Sequence, residues 1–190
     1  MRRSADRALL LLLMVLLGAC EEDAVPKPRG YFRIDLPEAR YRSWDPGCGY
    51  AAELPEHLVP KAVHTTDRTC WFDLEYPAMR ATVHLTYQPV QGQLAELVEE
   101  AHDLKRTHEL KATRIASTRV VRDSSRVYGT LFDVEGDVAS PFVFYLTDST
   151  THFLYGALYF NARPNADSLA PVTEFLRKDL RRFATTLRLQ

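Results

Sequence analysis

The chain has 190 residues, a formal net charge of −1 and 26% charged residues. This length is enough for one domain with a sizeable core, but not comfortably for two. The near-neutral charge gives no reason to expect a nucleic acid or an anionic membrane surface as partner, and the aromatic residues lack the basic stripe that nucleic-acid binding requires.

The first twenty residues are typical of the export signal of bacterial lipoproteins. Three arginines within the first seven residues precede an apolar run over residues 8–17, which is too short to span a bilayer. Leu17-Gly18-Ala19-Cys20 then looks like a lipobox, which predicts removal of residues 1–19 and lipidation of Cys20. A plain signal peptide with a chance cysteine is the alternative. Because the removed segment holds three Arg and one Asp, the mature chain would have 171 residues and a net charge of −3.

Residues 20–28 form the predicted tether between the lipid and the domain. The segment after Cys20 is acidic and contains Pro26 and Pro28. Eight extended residues at ~3.1 Å each reach only about 25 Å. We therefore expect a single domain over residues 29–190 that lies close to its membrane, in the cell envelope and facing the periplasm.

The first part of this domain is predicted to be mostly irregular. Residues 31–37 indicate a short edge strand that ends at a proline, and residues 38–69 hold five Pro or Gly residues. Cys48 and Cys70 are an even pair in an oxidising compartment. If they form a disulfide, it closes a loop of about 23 residues and stabilises the fold by roughly 3 kcal/mol. Two reduced thiols are the alternative.

Regular periodicity begins after Cys70. Apolar and polar residues alternate at residues 72–76 and 83–87, which predicts two strands. Four further strands, separated by turn residues, are predicted around residues 114–122, 126–134, 141–147 and 152–160. Helical spacing predicts an amphipathic helix of four to five turns at residues 94–104 and a second from Leu169 to Leu187. Asp167 is the predicted N-cap of the second helix, with Pro171 in its first turn.

The order ββαββββα predicts one α+β domain, with an antiparallel sheet of about six strands and two amphipathic helices. The α/β/α sandwich of the PsbP/Mog1 type has a similar order, and this is a likeness of fold alone.

Neither a metal nor a cofactor site is expected. His102 and His108 are six residues apart on one helix and so do not share a face. No HxH, HExxH or CxxC motif occurs among the six histidines and three cysteines.

Catalysis is also not expected. A hydrolase could use Ser140 or Ser149 with His152 and Asp148, but no Gly-x-Ser-x-Gly elbow is present. Asp148, Ser149 and His152 share one predicted hairpin turn, where Asp and Ser usually cap their own backbone. Triad members normally converge from separate elements. We therefore expect that the protein is not an enzyme.

Four parts of the sequence resemble the GldD family, gliding-motility-associated lipoproteins of the Bacteroidetes and their relatives. They are the lipobox, residues 26–37, the Cys70-Trp71 pair and residues 136–172. Within the last part the specific stretches are Ala139-Ser140-Pro141, Thr147-Asp148-Ser149-Thr150, the run from Gly156 to Asn161 and the run from Pro164 to Pro171.

The resemblance implies an envelope component that surface gliding and the associated type IX secretion of adhesins require. It implies no known enzymatic activity and no catalytic residue. We therefore expect a non-catalytic accessory lipoprotein, joined to the membrane by the lipid on Cys20, whose partners are other proteins of this machine. The side chains expected to dock a partner are Arg33, Asp148, Ser149, Asn165, Asp167 and Ser168. Ordinary turns and a helix cap are the alternative for these residues.

The second hypothesis is a module that binds a small molecule or a glycan on an aromatic sheet face. Tyr145, Tyr155 and Tyr159 would supply that face. A structure with these tyrosines packed beneath a helix, and no pocket nearby, would contradict it.

Overall fold

The computed structural model describes residues 35–65, 68–106 and 111–190. The predicted signal peptide, Cys20, the tether and Arg33 lie outside these residues, and so does most of the predicted strand at 31–37. The described strands are β1 (Tyr41–Trp44), β2 (Tyr50–Pro55), β3 (Val59–Thr65), β4 (Arg68–Tyr76), β5 (Ala81–Pro89), β6 (Ala112–Arg122), β7 (Val127–Gly136), β8 (Phe142–Thr147), β9 (His152–Phe160) and β10 (Arg188–Leu189). The helices are α1 (Leu94–Arg106) and α2 (Ala166–Thr186).

The strands form two sheets. The large sheet has seven strands in the order β3-β4-β5-β9-β8-β7-β6, and the small sheet has the order β1-β2-β10. Every paired neighbour is antiparallel. The predicted α+β class, with two helices on an antiparallel sheet, is confirmed, and the large sheet has one strand more than the six predicted. Neither described helix has the length and apolarity of a membrane span.

The helices pack on opposite faces of the large sheet, because successive residues of a strand point to opposite faces. On β9, Leu154 and Leu158 join the core cluster that includes α2. Phe153 precedes Leu154 and so points to the other face, where it packs with Leu97 and Ala101 of α1. The small sheet belongs to the α2 face, since buried residues of β2 lie in the same core cluster.

One glycine of β9 is required by close packing. Gly156 lies opposite Phe144 of β8, and a Cβ atom there would be 2.2 Å from Cζ of the Phe144 ring. This contact accounts for the glycine that begins one of the family-like stretches.

The expectation that residues 38–69 are irregular is wrong, because β1, β2 and β3 lie in this segment. The two prolines of these strands do little harm: Pro55 ends β2, and Pro60 lies in the edge strand β3. Strand β2 is buried at five of its six positions, so it shows no alternation for a sequence pattern to detect.

The N-cap prediction is also wrong. Helix α2 begins at Ala166 and its cap is Asn165, whose side chain accepts the backbone N–H of Ser168 at 3.1 Å. Asp167 is an acidic residue of the first turn, where it suits the helix dipole. Because the helix starts earlier than predicted, Pro171 lies inside it and not in its first turn.

Candidate functional site

The disulfide predicted between Cys48 and Cys70 is present, with its sulfur atoms 2.04 Å apart. It joins the loop after β1 to β4 and so connects the small sheet to the large one. Cys70 has a φ angle of +65°, which is uncommon for a residue other than glycine. The buried Tyr50 hydroxyl donates to the Cys70 carbonyl oxygen at 3.0 Å. The disulfide and this hydrogen bond hold the same short piece of β4.

A chain of hydrogen bonds leads from β4 to the β8–β9 turn. Trp71 Nε1 donates to the carbonyl oxygen of Tyr87 at 2.8 Å, and the Tyr87 hydroxyl lies 3.1 Å from Nδ1 of His152. The backbone N–H of His152 donates to Oδ1 of Asp148 at 2.9 Å. We call this group the disulfide end: Cys48, Cys70, Trp71, Tyr87, His152 and the turn at residues 148–151.

The His152 ring is held from both sides. Its Nε2 lies 2.8 Å from the carbonyl oxygen of Gln190, and its Nδ1 faces the Tyr87 hydroxyl. Burial and the nearby Asp148 carboxylate raise the pKa of Tyr87, so that hydroxyl keeps its proton and can donate it. A neutral ring satisfies both contacts, with Nε2 donating to Gln190 and Nδ1 accepting from Tyr87.

The Asp148 carboxylate accepts hydrogen bonds from the backbone of its own turn. The side chain is buried, and Oδ1 accepts the backbone N–H groups of Thr150, Thr151 and His152 at 2.8–3.0 Å. Burial alone would raise the pKa of Asp148, but these bonds and one from the Thr150 hydroxyl outweigh it and lower the pKa to about 2. Ser149 is exposed, with a φ angle of +70°. Of the two docking residues predicted here, only Ser149 offers its side chain to a partner.

Two clefts lie beside Trp71. The first has a volume of about 390 Å³ and is mostly apolar. Its lining comprises Trp44, Pro46, Cys48, Pro60, Ala62, Val63, Cys70, Trp71 and Phe72. The second, of about 350 Å³, is lined by Trp71, Tyr87 and a more polar set that includes Gln88, Gln91 and Gln93. The half-buried indole of Trp71 therefore separates an apolar cleft from a polar one.

The remaining docking residues lie elsewhere. Asn165, Asp167 and Ser168 are exposed at the start of α2, and the neighbouring Ala166 N–H donates to Asp137 of the β7–β8 turn at 2.8 Å. Strand β9 has nine residues and separates this group from the β8–β9 turn by about 26 Å. The structure therefore divides the predicted docking residues between opposite ends of the sheet.

The aromatic face of the ligand-binding hypothesis is mostly covered. Tyr145 and Tyr155 pack in the cluster beneath α1, and the Tyr145 ring stacks on Phe153 with centroids 5.8 Å apart. Tyr159 contacts the His84 ring at 5.4 Å. None of these tyrosines lines either cleft beside Trp71. The arrangement gives no support to the binding of a small molecule or glycan on these rings.

The candidate nucleophiles do not meet a base. Ser140 is fully buried and donates to the Phe142 carbonyl oxygen at 3.2 Å. The His152 ring is occupied by Tyr87 and Gln190, and contacts Asp148 through its backbone only. Within residues 35–65, 68–106 and 111–190, no group of three or more His, Cys, Asp or Glu is placed to hold a metal ion.

Three further histidines, His57, His84 and His102, pair with acidic or aromatic neighbours. Their closest contacts are His84 with Asp73 at 2.6 Å, His57 with Asp179 at 3.4 Å, and the His102 ring with those of Phe132 and Tyr145 at 5.5 and 5.9 Å. His108 lies outside the described residues. The interpretation of these histidines as core-edge or solvated residues fits their contacts.

Sequence reasoning missed the convergence of Trp71, Tyr87 and His152. In the sequence, Trp71 is half of a family-like pair, and Tyr87 is one member of an alternating strand. The convergence depends on β4 and β9 both pairing with β5, which no local pattern reveals. It brings the Cys70-Trp71 pair and the stretch at residues 147–150 to one place.

Among solved structures, the chain is similar to the solution structure of cyanobacterial PsbP (CyanoP) from Synechocystis sp. PCC 6803. The two share 10% sequence identity with a TM-score of 0.48, over 82% of this chain and 96% of that chain. A likeness at this level carries no argument about function. No curated protein matches the sequence. The family model described as gliding motility lipoprotein GldD matches residues 21–189. Because this match covers both ends of the sheet and nearly the whole chain, the protein belongs to the gliding motility lipoprotein GldD family.

Proposed function

We propose that this protein is a non-catalytic accessory lipoprotein of the gliding-motility and type IX secretion machinery. In this proposal the lipid on Cys20 anchors it to the envelope, facing the periplasm, and the disulfide end binds another protein of the machine. The observation that carries the proposal is the hydrogen-bonded link from Trp71 to the turn at Asp148, which unites two family-like stretches around two clefts.

The disulfide end has the physical properties of a protein-binding site. Tryptophan is enriched among the residues that dominate binding energy at interfaces, and Trp71 stands between clefts of about 390 and 350 Å³. The disulfide and the hydrogen bonds fix its surroundings before binding. Ordering this surface would therefore add little to the free-energy cost of binding a partner.

The positions of the two candidate nucleophiles, Ser140 and Ser149, argue against catalysis. Ser140 is inaccessible to a substrate, and the described hydrogen bonds of the His152 ring go to Tyr87 and Gln190 and not to Ser149. A nucleophile needs a base within hydrogen-bond reach. The variant Ser140→Ala is expected to restore full function to a deletion strain. Loss of gliding in this variant, at normal protein level, would argue for catalysis.

The machine role is tested by deleting the gene in the native host. We expect loss of surface gliding and of type IX cargo in the medium, and both should return with the wild-type gene. A deletion strain that still glides and still secretes this cargo would contradict the role.

The disulfide end is tested separately with complementing variants. Trp71→Ala should lower gliding and secretion, whereas Ser168→Ala, at the opposite end of the sheet, should keep both. Immunoblots of envelope fractions check that the variants accumulate equally, and Trp71→Phe keeps a ring while removing the indole N–H. If Ser168→Ala abolishes gliding and Trp71→Ala does not, the partner binds at the start of α2 instead.

A further inference from the structure

The two edges of the large sheet differ in how well they are protected. Strand β3 forms one edge, contains Pro60 and has a register shift between Val63 and Thr65. These are two of the devices that stop an edge from pairing with another strand. Strand β6 forms the other edge, and its pairing with β7 is continuous from Arg114 to Arg122 after one irregularity at its start.

The β6 edge is long and accessible. The strand has 11 residues, none of them buried, and six are exposed. Over the continuous nine residues, the edge extends about 26 Å. Within the described part of the chain, β7 is its sole strand neighbour. One row of its backbone N–H and C=O groups is therefore without a strand partner among these residues.

The charges along this edge are mainly positive. Arg119 lies on β6, and Arg126 and Arg188 line an open cavity of about 670 Å³ at its far end, together with Ser124, Ser125, Leu189 and Gln190. None of these three arginines forms an ion pair with another described residue. The nearby acidic groups have neighbours of their own: Glu135 lies 3.6 Å from Arg114, and Asp123 lies near the Tyr128 hydroxyl, whose pKa it helps to raise.

An apolar contact is available beside these charges. Val121 is 57% exposed and shares a sheet face with Arg119, two residues away. A strand laid against β6 would cover Val121 with a side chain of its own, as cross-strand pairs do.

We propose that β6 binds an extended acidic segment of a partner protein, which adds an eighth strand to the large sheet. Backbone hydrogen bonds to the β6 edge would provide affinity, and carboxylates beside Arg119 or in the Arg126–Arg188 cavity would provide selectivity. A second copy of this chain fits less well, because it would bring the same arginines to the shared edge. The Arg126–Arg188 cavity borders the disulfide end through Gln190, whose carbonyl oxygen lies 2.8 Å from Nε2 of His152. The proposal for the β6 edge does not depend on the function proposed for the disulfide end.

The test uses the intact lipoprotein in detergent and fluorescein-labelled peptides of seven residues. One peptide alternates glutamate with valine, a second has lysine in place of each glutamate, and a third has a central proline. By fluorescence anisotropy, the glutamate peptide should bind at least about tenfold more tightly than either control. Equal binding of the glutamate and lysine peptides would overturn the proposal.

Variants and hydrogen exchange locate the site. Arg119→Glu should weaken binding of the glutamate peptide at least about tenfold, whereas Arg163→Glu, a matched change on an exposed loop at residues 161–165, should not. Bound peptide should slow amide exchange at those β6 residues whose N–H groups point away from β7. Binding without this protection, slow exchange of the same outward-pointing amides in the free monomer, or a dimer whose crosslinks map to β6 would each overturn the proposal.

Discussion

The two faces of the large sheet are covered to very different extents. Helix α2 has 21 residues and buries seven of them, and the small sheet adds to the same layer. Helix α1 has 13 residues, and of its described side chains only Leu97 and Ala101 are buried. The open face keeps an exposed hydrogen-bonded contact between Asp73 and His84. The comparison indicates that stability resides mainly on the α2 face, which leaves the opposite face, the edges and the ends of the sheet for other purposes.

The largest difference between the faces is expected from leucine truncation. Leu176 of α2 is fully buried, so Leu176→Ala should lower the free energy of unfolding by about 4 kcal/mol. Leu97→Ala, on the less covered α1, should cost about 2 kcal/mol or less, because the site can collapse or admit water more easily. Urea unfolding measures both values. An equal or larger loss for Leu97→Ala would break the comparison.

Removing a charged residue should also cost more unfolding free energy on the α2 face than on the open face, with smaller losses than those from leucine truncation. Asp133 of β7 faces α2, where it lies 3.1 Å from Arg177 and 2.7 Å from Arg181. Asp133→Ala should cost about 3 kcal/mol, since it leaves a largely buried cation without its carboxylate. Asp73→Ala on the open face should cost less than about 1 kcal/mol, as exposed pairs do. Thermal unfolding of the two variants provides the check, and similar losses would contradict the assignment.

The β8–β9 turn, which belongs to neither helix, should contribute a pH-dependent stability. The pKa of Asp148 is lowered from 3.8 to about 2 in the fold. The stabilisation of the fold by the ionised Asp148 carboxylate is therefore fully present above the unfolded-state pKa and is lost as the pH falls from about 4 to 2. The resulting loss of unfolding free energy is on the order of 2 kcal/mol.

Asp148→Asn should remove this dependence, measured as urea unfolding at pH 6 and at pH 2.5. Asp179 changes stability in the opposite direction, because burial raises its pKa and the fold then binds its proton more tightly as the pH falls. The difference between wild type and variant isolates Asp148. An unchanged loss of stability at acid pH in the variant would assign the effect to other groups.

The smallest expected effect concerns the start of α2. Asn165→Ala removes the side chain that accepts the Ser168 N–H and should cost about 1 kcal/mol. Asp167→Ala removes a first-turn charge and should cost about 0.5 kcal/mol. Melting temperatures at neutral pH distinguish them. A larger loss for Asp167→Ala would favour the cap that was predicted from sequence.

The elements that could be predicted are those whose pattern is local. All six predicted strands are present, as are both helices. Their signals are local: β5 alternates between buried and more exposed residues, and β8 is a run of aromatic and branched residues between turn residues. The segment from residue 38 to 69 was missed because β1 has only four residues and β2, with Ala-Ala-Glu-Leu-Pro, has neither signal. The helix start was misplaced because Asn165 and Asp167 are both good caps, and the hydrogen bond from Ala166 to Asp137 is a tertiary contact.

The candidate site was predictable to the same extent. The Cys48–Cys70 pairing followed from cysteine number and compartment, and the capping of its own turn by Asp148 followed from residue type. The meeting of Trp71, Tyr87 and His152 depends on strands brought together by pairing. The division of the predicted docking residues between two ends depends on the length of β9, which separates them by about 26 Å.

The disulfide also determines how the fold would carry mechanical load. Tension that arrives through the chain before β1 passes only the four residues of that strand and a short loop before it reaches Cys48. From there a covalent bond transmits it to Cys70 on β4, at the cleft beside Trp71. The segment from Gly49 to Thr69, including β2 and β3, is bypassed. A domain built in this way can be pulled at its N-terminal end without extending that loop.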